Sequence, residues 1–170
     1  MAENHIIPNL RGTSIGKSII ASNVFVGVGR TTPWENEEQP PSPTSDITEL
    51  EELILYKRPD RLSFVIPDSE GNIVVRGQNY KAITIEEAYD VQSQLVLVQI
   101  NFTVTDFGGE ANYRQIGVFN HVIPKEGKEN KTILLPAEIA NPGYPLHIIN
   151  RSPYYCYSNH GETINLLIAF

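Results

Sequence analysis

Gln94-Leu-Val-Leu-Val-Gln-Ile-Asn-Phe-Thr-Val-Thr105 decides the fold class of this chain. Val96, Val98, Ile100, Phe102 and Val104 alternate over five positions, the period of a strand with one buried face. The intervening positions run from Leu95 and Leu97 to Gln99, Asn101, Thr103 and Thr105, so the second face turns polar along the strand. The β-branched content agrees with that period, and a strand is predicted over 94–105.

Working outward, Phe107-Gly-Gly-Glu-Ala-Asn112 reads as a turn into a further strand, Tyr113-Arg-Gln-Ile-Gly-Val-Phe119. Strands are expected over 146–149 and 154–157, separated by the turn Asn150-Arg-Ser-Pro153, and the last over 163–170. Towards the N-terminus, short strands are expected over 62–66 and 73–75, with 80–85 completing a hairpin around Gly77-Gln-Asn79. Val24-Phe-Val-Gly-Val-Gly29 reads as a strand whose glycines permit a close backbone approach or a bulge. Residues 35–45 hold Pro40, Pro41 and Pro43 and should be extended on the surface, since proline fixes φ and removes a donor. One helix is predicted over about 46–57, capped by Ser45 or Asp46, striped by Ile47, Leu50, Leu53 and Ile54, and stopped by Pro59. Residues 1–22, interrupted by Pro8, Gly12 and Gly16, read as an irregular arm or a short helix. The expectation is a mainly β chain: a β-sandwich with one peripheral helix and a Pro-rich extended loop. A 1–22 arm precedes a single domain over 23–170, with the acidic loop and helix at 31–58.

The charge is unevenly spread. The 170 residues carry a formal net charge of −7. Glu35, Glu37, Glu38, Asp46, Glu49, Glu51 and Glu52 fall within 31–56, which has no Lys or Arg. Such a chain lacks the clustered cations that phosphate backbones require, which argues against a nucleic-acid partner. The acidic run reads as a solvated face or as a docking surface for a basic partner. No stretch approaches the ~18 apolar residues of a membrane helix. Cys156 is the only cysteine, so no intramolecular disulfide is available. With no secretory signal visible, synthesis in a reducing cytosol is expected.

Candidate chemistry is thin. Gly12-Thr-Ser-Ile-Gly-Lys-Ser18 has three residues between its glycines where a phosphate loop needs four, and no strand leads into it. Gly27-Val-Gly29 lacks the third glycine and the following helix of a dinucleotide site. The four histidines form no HxxxH or HxH pair for zinc. Cys156 and His160 would need the fold to assemble them as a nucleophile and base. Glu86, Glu87 and Asp90 fit a turn or short-helix surface better than a carboxylate pair. Tyr154, Tyr155, Tyr157 and Trp34 could form a sugar-stacking platform, or serve as core and interface aromatics. No catalytic residue, cofactor, metal or small-molecule substrate is assigned.

Several segments together resemble a known family. Val24-Phe-Val-Gly-Val-Gly-Arg-Thr-Thr-Pro-Trp34, followed by an acidic loop and Pro40-Pro-Ser-Pro-Thr-Ser45, is similar to the opening of the gene product 8 family, baseplate wedge proteins of T-even contractile-tail bacteriophages. Tyr113-Arg-Gln-Ile-Gly-Val118 resembles that family's aromatic-Arg-Gln-Ile segment. Asn150-Arg-Ser-Pro153 and Glu162-Thr-Ile-Asn-Leu-Leu-Ile-Ala-Phe170 resemble its Asn-Arg-Pro-Pro turn and closing strand. The resemblance covers about 10–58 and 94–170, with a shortened middle at 59–93 where the T-even member is longer. It implies a non-enzymatic structural subunit, largely β-sandwich and homodimeric. Such a subunit binds other wedge proteins in the virion tail baseplate, is assembled in the host cytoplasm, and transmits the trigger for sheath contraction. On this reading Arg30, Pro33, Trp34, Pro40, Pro41, Pro43, Tyr113, Arg114 and Gln115 are the candidate interface residues. The alternative function is a carbohydrate- or receptor-binding β-sandwich module of a phage tail.

Overall fold

The alternating segment forms a strand over Leu95–Phe102 in a computed structural model that describes residues 6–158 and 160–170. In chain order the elements are α1 (Leu10–Ala21), β1 (Phe25–Gly29), β2 (Leu55–Lys57), β3 (Arg61–Pro67), β4 (Ile73–Val75) and β5 (Gln78–Ile83). There follow α2 (Ile85–Asp90), β6 (Leu95–Phe102), α3 (Val104–Phe107), β7 (Ala111–Asn120), β8 (Ile123–Pro124) and β9 (Ile133–Leu134). A 3-10 turn (Pro136–Glu138), β10 (Ile139–Asn141), β11 (Tyr144–Cys156) and β12 (Glu162–Ala169) complete the chain. The class is mainly β, as expected, with antiparallel, sandwich-like sheets. The strands order as β11-β7-β1-β2-β9, as β12-β6-β3-β5-β4, and as the pair β10-β8. By contact the chain divides into two compact units. The first holds residues through Ala21, Arg61–Gln99 and Asn165–Phe170; the second holds Ser22–Asp60 and Ile100–Ile164.

In the first unit both faces of the sheet are covered. Val65, Leu97, Ile73, Val75 and Tyr80 form one core with Leu167. The sheet curls enough for Asn165 Nδ2 to donate to the Val74 carbonyl oxygen at 3.3 Å. On the opposite face Phe64, Val96 and Ala88 pack with Ile20, Ile85 and Phe170. Here α1 lies close because it presents glycine. A Cβ on Gly16 would stand 2.7 Å from Phe64 Cε1, and one on Gly12 2.5 Å from the Phe170 carbonyl oxygen. Thr13 Oγ1 donates to the Ser93 carbonyl oxygen at 2.8 Å. Gly12 and Gly16 lower helix propensity, which obscures this helix in the sequence; helix–sheet packing makes up the difference. The phosphate-loop look-alike is therefore a packing surface. α2 is a short capped helix: Thr84 Oγ1 accepts from the Glu87 amide at 3.1 Å, and the Glu87 carboxylate accepts from the Thr84 amide at 2.8 Å.

The second unit contains the largest departure from expectation. No helix forms over 46–57. The chain makes turns through 45–52 and then enters β2. The apolar stripe is used differently: Leu50 drops into a slot cleared by three glycines. Cβ atoms on Gly27, Gly29 and Gly117 would each lie 3.0–3.1 Å from Leu50. The backbone donors are claimed by sheet partners, with the Ile54 amide on the Val28 carbonyl (2.9 Å) and the Glu51 amide on Gln115 Oε1 (2.8 Å). Leu55–Lys57 then pairs with β1. Burying Leu50, Leu55 and Tyr56, about 1.5–3 kcal/mol each, outweighs the weak preference for a solvated acidic helix. A close backbone approach is found at Gly29, where the Glu51 carbonyl oxygen comes near, whereas the space at Gly27 is taken by the Tyr56 and Leu50 side chains. Around the slot, Tyr56 meets Phe119 and Phe25 with ring centroids 5.1 and 6.2 Å apart.

Two boundaries also move. The strand expected to reach Thr105 ends at Phe102, because the Thr103 amide turns onto the Asp106 carboxylate at 2.8 Å and opens α3. Asp106 also pairs with Lys57 at 2.7 Å, both side chains nearly buried. The two strands expected at 146–149 and 154–157 are one long strand, β11. Its register against β7 shifts between Asn150 and Tyr154, so Asn150-Arg-Ser-Pro153 is a bulged stretch rather than a turn.

Candidate functional site

Between β1 and β2 the chain forms a strap, residues 30–54, laid on β1, β7 and β11. It starts at Arg30, whose φ of +56° turns the chain sharply at the end of β1. Such a conformation in a non-glycine residue is uncommon and must be held by its surroundings. The Arg30 amide donates to the Glu51 carbonyl oxygen at 2.6 Å. Its guanidinium pairs with the Glu51 carboxylate and stacks on the Trp34 ring, 3.7 Å from the centroid. Glu52 accepts from the amides of Thr31 and Thr32 at 2.9 and 2.8 Å, and from the Thr32 hydroxyl at 2.7 Å. The Thr32 amide, foremost among these donors, holds the Glu52 carboxyl below the usual carboxylate range.

Beneath the strap, Tyr113, Arg114 and Gln115 of β7 are all buried. Alternation sends Arg114 and Gln115 to opposite faces of the strand, and the strap meets both. Arg114 Nε and Nη2 fork onto the Glu37 carboxylate at 2.7–3.0 Å, while Nη1 donates to the Thr31 carbonyl oxygen at 2.6 Å. Burying a guanidinium is tolerable only with such pairing. The hydrogen bond from Arg114 lowers the Glu37 pKa, and Glu37 raises that of Arg114. Gln115 Nε2 donates to Asn150 Oδ1 (2.9 Å), and Asn150 Nδ2 donates to the Pro41 carbonyl (2.8 Å). Trp34 Nε1 donates to the Arg151 carbonyl (2.9 Å), and Ser152 Oγ to the Glu37 carbonyl (2.8 Å). Tyr113 donates to Glu162 (2.7 Å), which also pairs with Arg151. Burial raises the Tyr113 pKa, so the phenol stays a donor.

The sequence-derived residues thus divide by role. Arg30, Trp34, Tyr113, Arg114 and Gln115 fasten the strap from within. Pro33, Pro41 and Pro43 lie exposed on it and Pro40 is half-buried. Among the acids, Glu37, Glu51 and Glu52 are committed to the fastening, whereas Glu35, Glu38, Asp46 and Glu49 are exposed. Sequence reasoning missed Asn150, Arg151 and Ser152 as fasteners. Their polar run in an otherwise apolar region was the available signal, but it reads equally as a turn.

The remaining chemical candidates have structural occupations. Cys156 is buried, its thiol donates to the His160 carbonyl oxygen at 3.2 Å, and burial raises its pKa, which disfavours the nucleophilic thiolate. Glu87 caps α2. Of the four aromatics in the sugar platform, Trp34 is buried in the strap and Tyr154 packs on Tyr113 with centroids 5.6 Å apart. Tyr155 and Tyr157 remain exposed. Among the described residues no helix is long and apolar enough to cross a membrane.

Fold and site together define a β scaffold that displays a prefastened, Pro-rich acidic strap. The chain belongs to the family described as baseplate wedge 3 tail fiber network component, whose model matches residues 11–170. It is also 31% identical over 135 residues to virion protein 3 of Enterococcus phage phiEF24C, covering 76% of this chain and 74% of that protein. It is accordingly a structural component of a phage baseplate, which implies contact with other baseplate proteins.

Proposed function

We propose that this chain is a homodimeric wedge subunit of a contractile tail, assembled in the host cytoplasm. In this reading it docks neighbouring wedge proteins through the strap and passes on the rearrangement that triggers sheath contraction. The observation that carries the proposal is the split within the strap. Buried Arg114, Gln115 and Trp34 hold it in place, while Pro33, Pro41, Pro43 and the uncommitted acids face outward. A segment ordered in advance loses little conformational entropy on docking, and its exposed carboxylates suit a basic partner surface. A strap that joins β1 to β2 and is fastened onto β7 and β11 is also a suitable element to relay a displacement from a partner to the sheet.

The test is light scattering coupled to size exclusion, on the chain alone and co-expressed with its tail proteins. A species of twice the 19.0 kDa chain mass and entry into a wedge complex are expected. Charge reversal at Glu35, Glu38 and Glu49 should abolish complex entry while leaving the fold intact. A strictly monomeric chain that joins no tail complex would refute the proposal.

A further inference from the structure

The paired ends of β7 and β11 carry a second cleft, separate from the strap's outer surface. Tyr155 lies opposite Asn112, and Cys156 opposite Ala111. Tyr157 and Glu110 lie one position beyond these paired ends, so Tyr155, Tyr157, Asn112 and Glu110 cluster there. These four, with Ala111 and Cys156, line a cavity of ≈ 370 Å³. Tyr155 is 56% exposed and Tyr157 42%, whereas Tyr113 and Cys156 on the same two strands are buried. The Tyr157 ring is held from one side by His160, stacked at 4.3 Å between centroids and 28° between planes. Asn112 Oδ1 accepts from Arg114 Nη1 at 3.0 Å. A guanidinium only donates, so the amide orientation is set and the Asn112 Nδ2 remains a donor for another group. The Glu110 carboxylate has no hydrogen-bond or ion-pair partner among the described residues.

We propose that this cleft binds a neutral saccharide unit of the class displayed on bacterial surfaces. Two exposed aromatic faces on one side, that of Tyr157 held by His160, suit the C–H face of a pyranose ring. An oriented amide donor and a free carboxylate acceptor opposite suit its hydroxyls. The volume accommodates one or two sugar units. The free carboxylate disfavours acidic glycans, and an apolar partner would leave it desolvated and unpaired. This inference does not rest on the docking role proposed for the strap, although Arg114, which orients Asn112, also fastens it.

The experiment is saturation-transfer NMR followed by calorimetry on the intact chain. The probes are trisaccharides of glucose, galactose, N-acetylglucosamine and rhamnose, with tetralysine as a cationic comparison. At least one trisaccharide is expected to bind. Tyr155→Ala and Tyr157→Ala should each weaken it by about tenfold or more, and Glu110→Gln by a smaller factor. Glu110→Gln should keep the parent urea midpoint, because that carboxylate is unpaired, and the tyrosine variants are compared with the parent at a temperature where circular dichroism shows each of them folded. The proposal is overturned if no trisaccharide binds at about 10 mM, if Tyr155→Ala and Tyr157→Ala bind it unchanged, or if tetralysine alone binds.

Discussion

Alanine at Gly29 would place a methyl carbon 2.5 Å from the Glu51 carbonyl oxygen, 3.1 Å from Leu50 Cβ and 3.5 Å from Leu53 Cα. None of these neighbours is the end of a flexible side chain, so relief requires the strap to lift. Overpacking of this kind costs about 1–3 kcal/mol. Lifting also stretches the hydrogen bonds Arg30 N–Glu51 O and Ile54 N–Val28 O, now 2.6 and 2.9 Å, each worth about 0.5–1.5 kcal/mol net. Against this, replacing glycine restricts the unfolded chain and returns about 0.4–1 kcal/mol. The clash and the lost bonds win, and Gly29→Ala should destabilise by about 2–3 kcal/mol, read as a lower urea midpoint at unchanged slope. A second readout isolates the strap. Residues 31–56 contain no Lys or Arg, so trypsin cannot report on them, but a glutamate-specific protease can cut at Glu35, Glu38 or Glu49. Where opening is fast relative to cleavage, a 2 kcal/mol loss raises native-state cutting about 30-fold. A midpoint shift equivalent to less than about 0.5 kcal/mol, with cutting at the parent rate, would refute the glycine-slot account of the strap.

Other outcomes follow from the same geometry. Gly16→Ala should raise the intrinsic helix propensity of α1 by about 1 kcal/mol yet lower the thermal midpoint, because its Cβ would stand 2.7 Å from the buried Phe64 ring. Asp106→Ala should cost about 3–5 kcal/mol in urea unfolding, since it strands the nearly buried Lys57 ammonium. Trp34→Phe should cost about 1 kcal/mol for the lost bond to the Arg151 carbonyl and raise strap cleavage. Acid should loosen the strap selectively. The folded pKa values of Glu37 and Glu52 are depressed, so their stabilisation is fully present above the unfolded carboxyl pKa and is lost as pH falls through the folded values. Protease sensitivity at 31–53, followed from about pH 6 to about pH 3, should rise before the β core melts by circular dichroism. Glu138, held at about 2 chiefly by Lys131, should keep the 131–138 turn intact over most of that range.

The period-two runs were legible in the sequence because alternation is a local signal. Residues 94–105, 113–119, 24–29 and the closing strand all pair close to where the pattern placed them. Gly29 could be recognised as a close approach, though not what approached. The family was legible too, because its motifs keep their order along the chain. The strap was not. Ile47, Leu50, Leu53 and Ile54 have a helical spacing, and nothing local records that Gly117, some 67 positions after Leu50, completes a slot for that side chain. Likewise Gly12 and Gly16 argue locally against the helix that α1 becomes, since their benefit lies in Phe64 and Val96 across the sheet. Asn150 looks like a turn residue until Gln115 and Pro41 arrive on either side of it. Periodicity within one strand or helix is therefore determined by the sequence alone. Which apolar stripe enters which slot, and whether Arg114 serves a partner or the chain's own Glu37, is decided by long-range burial and hydrogen bonding, whose energies exceed the local preferences they override.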